Sequence, residues 1–355
     1  MKSAIAAVRR SRPRRSVLAL ATAVTCGLTL VSCGSGSGSG NTLWYSGYGG
    51  TYELSVKKAL FDPYAKESGV EVKIDQNGSN VTQLDEIIKS GRPSPDIVDT
   101  ETATLAQFMS KGMLRPLDKS KLDVSTVANQ SLINEYSVPW YQFSRNLYWN
   151  TKTFPNGGPS TWADVWNVEK FPGKRSFPDR PIGTLEVALL ASGVSREKLY
   201  PLDVDRAFQW LDKIKPNAIF INRADTAISQ GNVVTGLYTL GRLRDLQKGG
   251  ATVEYNWNGA TVSVETLTIS KNAANPAKAM EVIQRSLSAE SQTEMLNSLN
   301  YTPTVKSVLD KLPADQRANL PGTAETNKDS FYIDGNWWAE HYDDVVKRWQ
   351  NWLHS

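Results

Sequence analysis

Between Thr42 and Lys111 the chain alternates short strand-like runs with segments at helical spacing, and this alternation constrains the fold more than any other feature. Thr42-Leu43-Trp44-Tyr45 reads as a strand, and Tyr52 to Glu67 carries Leu54, Ala59, Leu60 and Tyr64 near helical spacing until Gly69 stops it. Val70 to Ile74 alternates as a second strand, Gln83 to Lys89 reads as a short helix, Asp96-Ile97-Val98 as a buried strand and Ala103 to Lys111 as the next helix. Strand, helix and strand in repeating order predict an α/β fold, a parallel sheet covered by helices.

The pattern continues with a strand at Asn146 to Asn150 and a helix opened by Ser160-Thr161-Trp162-Ala163-Asp164, with a hydroxyl cap and an acid in the first turn. Arg206 to Ile214, Arg242 to Gln247, Pro276 to Ser286 and Glu290 to Leu299 read as helices, and Glu265 to Ile269 as a strand. From Asp329 to Leu353, Trp338, Tyr342, Val345, Val346, Trp349, Trp352 and Leu353 recur at three- and four-residue steps and define one apolar face that docks on the body.

The first 40 residues follow different rules. Arg9, Arg10, Arg12, Arg14 and Arg15 precede an apolar run from Val17 to Val31, the layout of a secretory leader, too short and wrongly flanked for a spanning helix. Leu30-Val31-Ser32-Cys33 closes it with the pattern at which bacterial lipoproteins are cut and lipidated, so residues 1–32 read as a signal peptide and Cys33 as the lipid attachment site. Cys26 lacks the large apolar residue at minus three. Arg14-Arg15-Ser16-Val17-Leu18 also looks like a twin-arginine export signal, though arginines are common in any leader. Residues 33–40 form a lipidated cysteine and Gly/Ser tether with a reach of roughly 15 Å. The expected location is therefore the outer face of the cytoplasmic membrane, or the periplasmic face in a Gram-negative cell.

Removing the leader changes what composition permits. Six of the 40 Lys and Arg residues lie in the first 40 positions, which hold no acid, so the remainder carries 34 basic against 36 acidic side chains. Without a basic domain, nucleic acid is not an expected partner. Both cysteines lie within the first 33 residues, and the two histidines, His341 and His354, within the last 15. Disulfides, thiolate or histidine metal sites and histidine acid–base chemistry therefore have little material, and neither metal nor cofactor is expected. The 315 residues after the tether suffice for two lobes.

Seven short segments, in order, resemble one family. They are Trp44-Tyr45-Ser46-Gly47-Tyr48; Phe61-Asp62-Pro63-Tyr64-Ala65-Lys66-Glu67-Ser68-Gly69-Val70; Pro95-Asp96-Ile97-Val98; Gly112-Met113-Leu114-Arg115-Pro116-Leu117-Asp118; Val138-Pro139-Trp140; Ser160-Thr161-Trp162-Ala163-Asp164-Val165-Trp166; and Asn300-Tyr301-Thr302-Pro303-Thr304. Together they are similar to the extracellular solute-binding proteins of ABC importers, in the group that includes the spermidine/putrescine-binding proteins. The resemblance implies a two-lobed, periplasmic-binding-protein-like (type II) fold with a hinge, residues 41–139 plus 267–305 forming lobe 1 and residues 140–266 plus 306–355 lobe 2. It also implies a monomer that closes on one small solute and hands it to the transmembrane subunits of a permease.

The departures from that group concern the ligand. Where relatives end the opening strand in an aromatic and acidic cluster that grips an ammonium, this chain has Ser46-Gly47-Tyr48-Gly49-Gly50, keeping an aromatic and losing the acid. Where they carry paired carboxylates in the second lobe, it has Pro178-Asp179-Arg180-Pro181-Ile182-Gly183. The hinge-strand acid is kept as Glu265, and the aromatic before Gly241 falls on Thr239 with Tyr238 beside it. One carboxylate, aromatic walls and a guanidinium suit a small amine-containing solute, either polyamine-like or an amino-acid-like zwitterion: arginine can clamp a carboxylate, and aromatic faces hold an ammonium by about 0.5–2 kcal/mol. The candidate ligand-binding residues are Tyr48, Glu101, Trp140, Arg180, Tyr238, Arg242, Glu265, Tyr301 and Trp338, with Arg145 a weaker one. Trp337 and Trp338 point to different sides of a helix, so at most one faces the cleft. The alternative is a secreted lipoprotein hydrolase or lyase using cleft carboxylates such as Glu101 and Glu265, for which no nucleophile or cofactor motif is present. A metal-ion receptor on the same fold would need clustered tyrosines, histidines and acids.

Overall fold

A computed structural model describes residues 41–76 and 80–355. The leader, Cys33 and the Gly/Ser tether lie outside the described residues. Eleven strands occur among them: β1 (Thr42–Ser46), β2 (Glu71–Asp75), β3 (Ile97–Glu101), β4 (Leu114–Arg115), β5 (Ser137–Asn150), β6 (Arg175–Phe177), β7 (Ala218–Phe220), β8 (Thr235–Thr239), β9 (Val253–Ser270), β10 (Thr302–Pro303) and β11 (Ser330–Tyr332).

Their order is β2-β1-β3-β9-β5-β8-β6-β7, with β4 and β11 on β9 and β10 on β5. β1 pairs in parallel with β2 and β3, and β6 in parallel with β7 and β8, giving two parallel groups of the kind that helical crossovers build. Between them β9 is antiparallel to β3, and β5 is antiparallel to both β9 and β8. The sequence reading of one parallel sheet is thus corrected to two parallel groups joined by long antiparallel strands. Asn146 to Asn150 and Glu265 to Ile269 are the ends of those strands, and the lobe boundaries expected at 139/140 and 266/267 fall inside them.

Each group has its own apolar core. Leu43, Phe61, Ile97, Trp140, Leu267 and Ile283 belong to one; Trp162, Phe177, Leu185, Phe208, Trp338 and Trp349 belong to the other. Each such side chain contributes about 1.5–3 kcal/mol when fully buried, so either core holds its sheet without a disulfide. The first helical segment runs from Gly50 to Ser68 with a π turn at Lys57–Phe61 and ends at Gly69, whose φ of 68° favours glycine. Thr161 caps the helix Trp162–Trp166 in a capping box with Asp164. At the C-terminus the helix is Gly335–His354, not a run from Asp329: Ser330–Tyr332 pairs in parallel with Ala260–Val262 of β9, and Asp334 then caps the helix. Its Trp338, Val345 and Trp349 are buried, as the apolar spacing predicts.

Candidate functional site

β1 and β3 run in the same direction, so the turn after β1 and the end of β3 open on the same edge of the sheet, where parallel α/β sheets gather their functional side chains. That turn is Gly47-Tyr48-Gly49-Gly50. Gly49 has a φ of 73°, and a side-chain carbon there would lie 2.5 Å from Gln76, so the turn needs glycine at this point. Tyr48 beside it is 39% exposed.

β3 and β9 are registered Glu101 against Glu265 and Asp99 against Leu267. Two-residue alternation therefore sends Asp99, Glu101 and Glu265 from one face of the sheet. Glu265 is buried, and its Oε1 accepts a hydrogen bond of 2.8 Å from the Tyr48 hydroxyl. Behind it, the fully buried Asp99 accepts two tyrosine hydroxyls on Oδ2, those of Tyr45 at 2.5 Å and of Tyr52. Burial raises both carboxyls above their ordinary range, Asp99 to about 6, and the negative charges of Asp99 and Glu101 add to the rise at Glu265. Glu101 instead holds two arginines, Arg180 Nη1 at 2.5 Å from Oε1 and Arg145 Nη2 at 3.3 Å from Oε2.

Tyr48, Tyr52, Glu101, Arg145, Arg180 and Glu265 border a cleft of about 520 Å³, with Asp99 and Tyr45 behind its lining. One wall is aromatic: Tyr48 and Tyr52 meet edge to face at 5.6 Å, Tyr141 stacks on Tyr301 at 4.7 Å and 15°, and Phe143 lies 6.3 Å from Tyr141. The facing wall is cationic: the loops after β6 and β7 supply Arg180 and Arg223, and the helix Leu240–Lys248 that follows β8 supplies Arg242; Arg145 on β5 lies between. Arg242 is paired with Asp225 at 3.3 Å, whereas Arg223 is exposed and has no ion pair among the described residues.

Of the nine expected residues, Tyr48, Glu101, Arg180, Tyr238, Arg242, Glu265 and Tyr301 line this cleft. Trp140 and Trp338 do not. In β5, Pro139 faces Thr266 and Tyr141 faces Glu265, so Trp140 is the extra residue of a β-bulge; it turns into the first core and leaves the cleft wall to Tyr141. Trp338 is fully buried in the second core, where its indole N–H donates 2.8 Å to Glu186 Oε1.

The site offers an acidic, tyrosine-lined floor, an aromatic wall and opposing guanidinium groups. Residues 59–322 match the model of the bacterial extracellular solute-binding proteins. The chain belongs to that family. As a solute-binding protein it is similar to the gamma-aminobutyric acid-binding protein of Pseudomonas aeruginosa, at 27% identity over 86% of this chain and 89% of the relative. It is also similar to the spermidine/putrescine-binding periplasmic protein of Escherichia coli, at 24% identity over 77% and 82%. Among solved structures it resembles the Atu4243–GABA receptor, with a TM-score of 0.81, 30% identity and coverage of 88% and 97%. AgtB from A. tumefaciens in complex with agropinic acid gives 0.80, 31%, 88% and 99%. These kinships establish a two-lobed substrate-binding protein of the ABC-importer type, and not an enzyme; nothing in them favours a hydrolase or lyase.

Sequence reading passes over three residues that line the cleft of this solute-binding protein, Tyr52, Tyr141 and Arg223, and one behind it, Asp99. Tyr52 opens the first helical segment and Tyr141 directly follows Val138-Pro139-Trp140, so each adjoins residues that the sequence singles out. Asp99 sits in a run buried at every position from Ile97 to Glu101, which hides the alternation between its faces. Arg223 lies in a connection without any motif.

Proposed function

We propose that this solute-binding protein is an exported lipoprotein, anchored through Cys33, that captures a short zwitterion with an ammonium at one end and a carboxylate at the other and delivers it to its permease. In this reading it works as a monomer of two lobes, residues 41–139 plus 267–305 and 140–266 plus 306–355, which close over the ligand by bending in β5 and β9. The observation that carries the ligand class is the charge of the cleft lining, four arginines against three carboxyls. Such a lining repels a long polycation and leaves Arg223 available for a carboxylate. Glu265 with Tyr48, Tyr52 and Tyr141 provides the ammonium end. The known binding of 4-aminobutyrate by two relatives supports the same class.

The test is intrinsic tryptophan fluorescence, with thermal melting in parallel, during titration with 4-aminobutyrate, putrescine and spermidine. A saturable response to 4-aminobutyrate is expected, with a stabilisation of about 4 kcal/mol at a thousandfold excess over the dissociation constant. A response confined to the polyamines would overturn the zwitterion assignment.

A further inference from the structure

We infer that Asp99 and Glu265 act as one acid: with the cleft empty they hold a single proton between them, and the ammonium end of the ligand expels it to solvent. The inference rests on the amine-binding reading above and adds to it a proton coupled to capture.

Asp99 receives both tyrosine hydroxyls on Oδ2, while its Oδ1 is buried with no hydrogen-bond partner. A buried carboxylate oxygen without a donor is costly. The group placed to donate to it is the carboxyl of Glu265, which leaves the same face of the sheet two positions along the register, so that a hydrogen bond from it would satisfy Oδ1. Such a bond needs a proton on one of the two.

The surroundings supply nothing to replace that proton. Tyr45, Tyr48, Tyr52, Tyr141 and Tyr301 face the pair from the flanking strands, helix and loop, and Glu101 adds a further negative charge. Among the described residues no arginine or lysine pairs with either acid: Arg145 and Arg180 are held by Glu101, and Arg242 by Asp225. Two ionised carboxylates would thus lie side by side without a cation, so one proton is retained. An arriving ammonium is the missing cation. It favours the doubly ionised pair, and the Glu265 carboxyl gives its proton to the buffer while the ligand keeps its own. The lining contains no histidine that could be the source instead.

The experiment is calorimetric titration of the purified protein with 4-aminobutyrate at about pH 7, in phosphate and in an amine buffer of high ionisation enthalpy. The expected result is a buffer-dependent heat corresponding to release approaching one proton per ligand, and an affinity that rises with pH by up to about tenfold per unit. Saturable binding with the same heat in both buffers would overturn the proton coupling while leaving amine binding intact. No binding of either 4-aminobutyrate or putrescine would remove the amine reading, and this inference with it. Asp99→Asn, whose amide can donate to Glu265, is expected to abolish most of the release; release equal to that of the parent protein would overturn the shared proton.

Discussion

Arg180 Nη1 lies 2.5 Å from Glu101 Oε1, tying the loop after β6 to the end of β3 across the mouth of the cleft. Arg145 completes the group from β5, and both Glu101 and Arg145 are about nine-tenths buried. Losing one member of a buried ion group strands the others, at a cost of about 3–5 kcal/mol. Glu101→Gln is therefore expected to lower the melting temperature of the empty protein and to increase its radius of gyration in solution scattering, because the cross-cleft tie is cut. A variant as compact and as stable as the parent would show that the pair does not hold the two sides together.

Arg223 and Arg180 differ in what they are doing before ligand arrives. Arg180 is engaged by Glu101, while Arg223 lines the cleft without an ion pair. Arg223→Ala is expected to reduce affinity for 4-aminobutyrate by about 10- to 100-fold, the range of a charge-assisted hydrogen bond of 1.5–3 kcal/mol. Binding of putrescine, which has no carboxylate, is expected to hold steady or improve. Titration of both ligands against both proteins checks this, and an equal loss for the two would exclude a carboxylate clamp.

Trp140 and Trp338 belong to the cores rather than the cleft, so substitutions there separate stability from binding. Trp338→Phe removes the indole N–H donor to the buried Glu186, which also accepts from Tyr200 and from the Gly183 backbone. A loss of about 1–3 kcal/mol is expected in denaturant unfolding, with less than a twofold change in ligand affinity. Trp140→Phe is expected to behave alike through lost packing. A large affinity loss at unchanged stability in either variant would return that tryptophan to the site.

The regular elements were legible because their apolar positions repeat: the helix faces at Val204–Ile214 and Pro276–Ser286 show one buried side each. The helix Thr184–Ala191 escaped because nearly every residue is buried, leaving no polar face to mark the period. β5 and β9 were read only at one end because they are buried on both faces over most of their length. For the cleft, residues next to a turn or a kept acid were found, including Tyr48, Glu101 and Glu265. Trp140 was misplaced by a bulge, which a sequence does not announce, and Trp338 by a helix whose partners come from distant segments. Asp99 could not be read as part of the site without the strand pairing that sets it beside Glu265.

The same acids give the empty protein an unusual pH response. Burial raises Asp99, Glu265 and Glu186 in the folded state above their unfolded values. Groups shifted upward stabilise the fold fully below the unfolded carboxyl pKa, and that contribution is lost as pH rises through the folded pKa. Carboxyls shifted downward, such as Asp164 and Glu294, act in the opposite sense but lose their effect only below the ordinary carboxylate range. As pH rises from about 4 to about 6, the interval over which Asp99 is shifted, the unliganded protein is therefore expected to become less stable, and Glu265→Gln to flatten that slope. Calorimetric melting of both proteins across the range decides it: stability that climbs with pH in the parent would mean that these carboxyls are ionised in the fold and compensated by a cation.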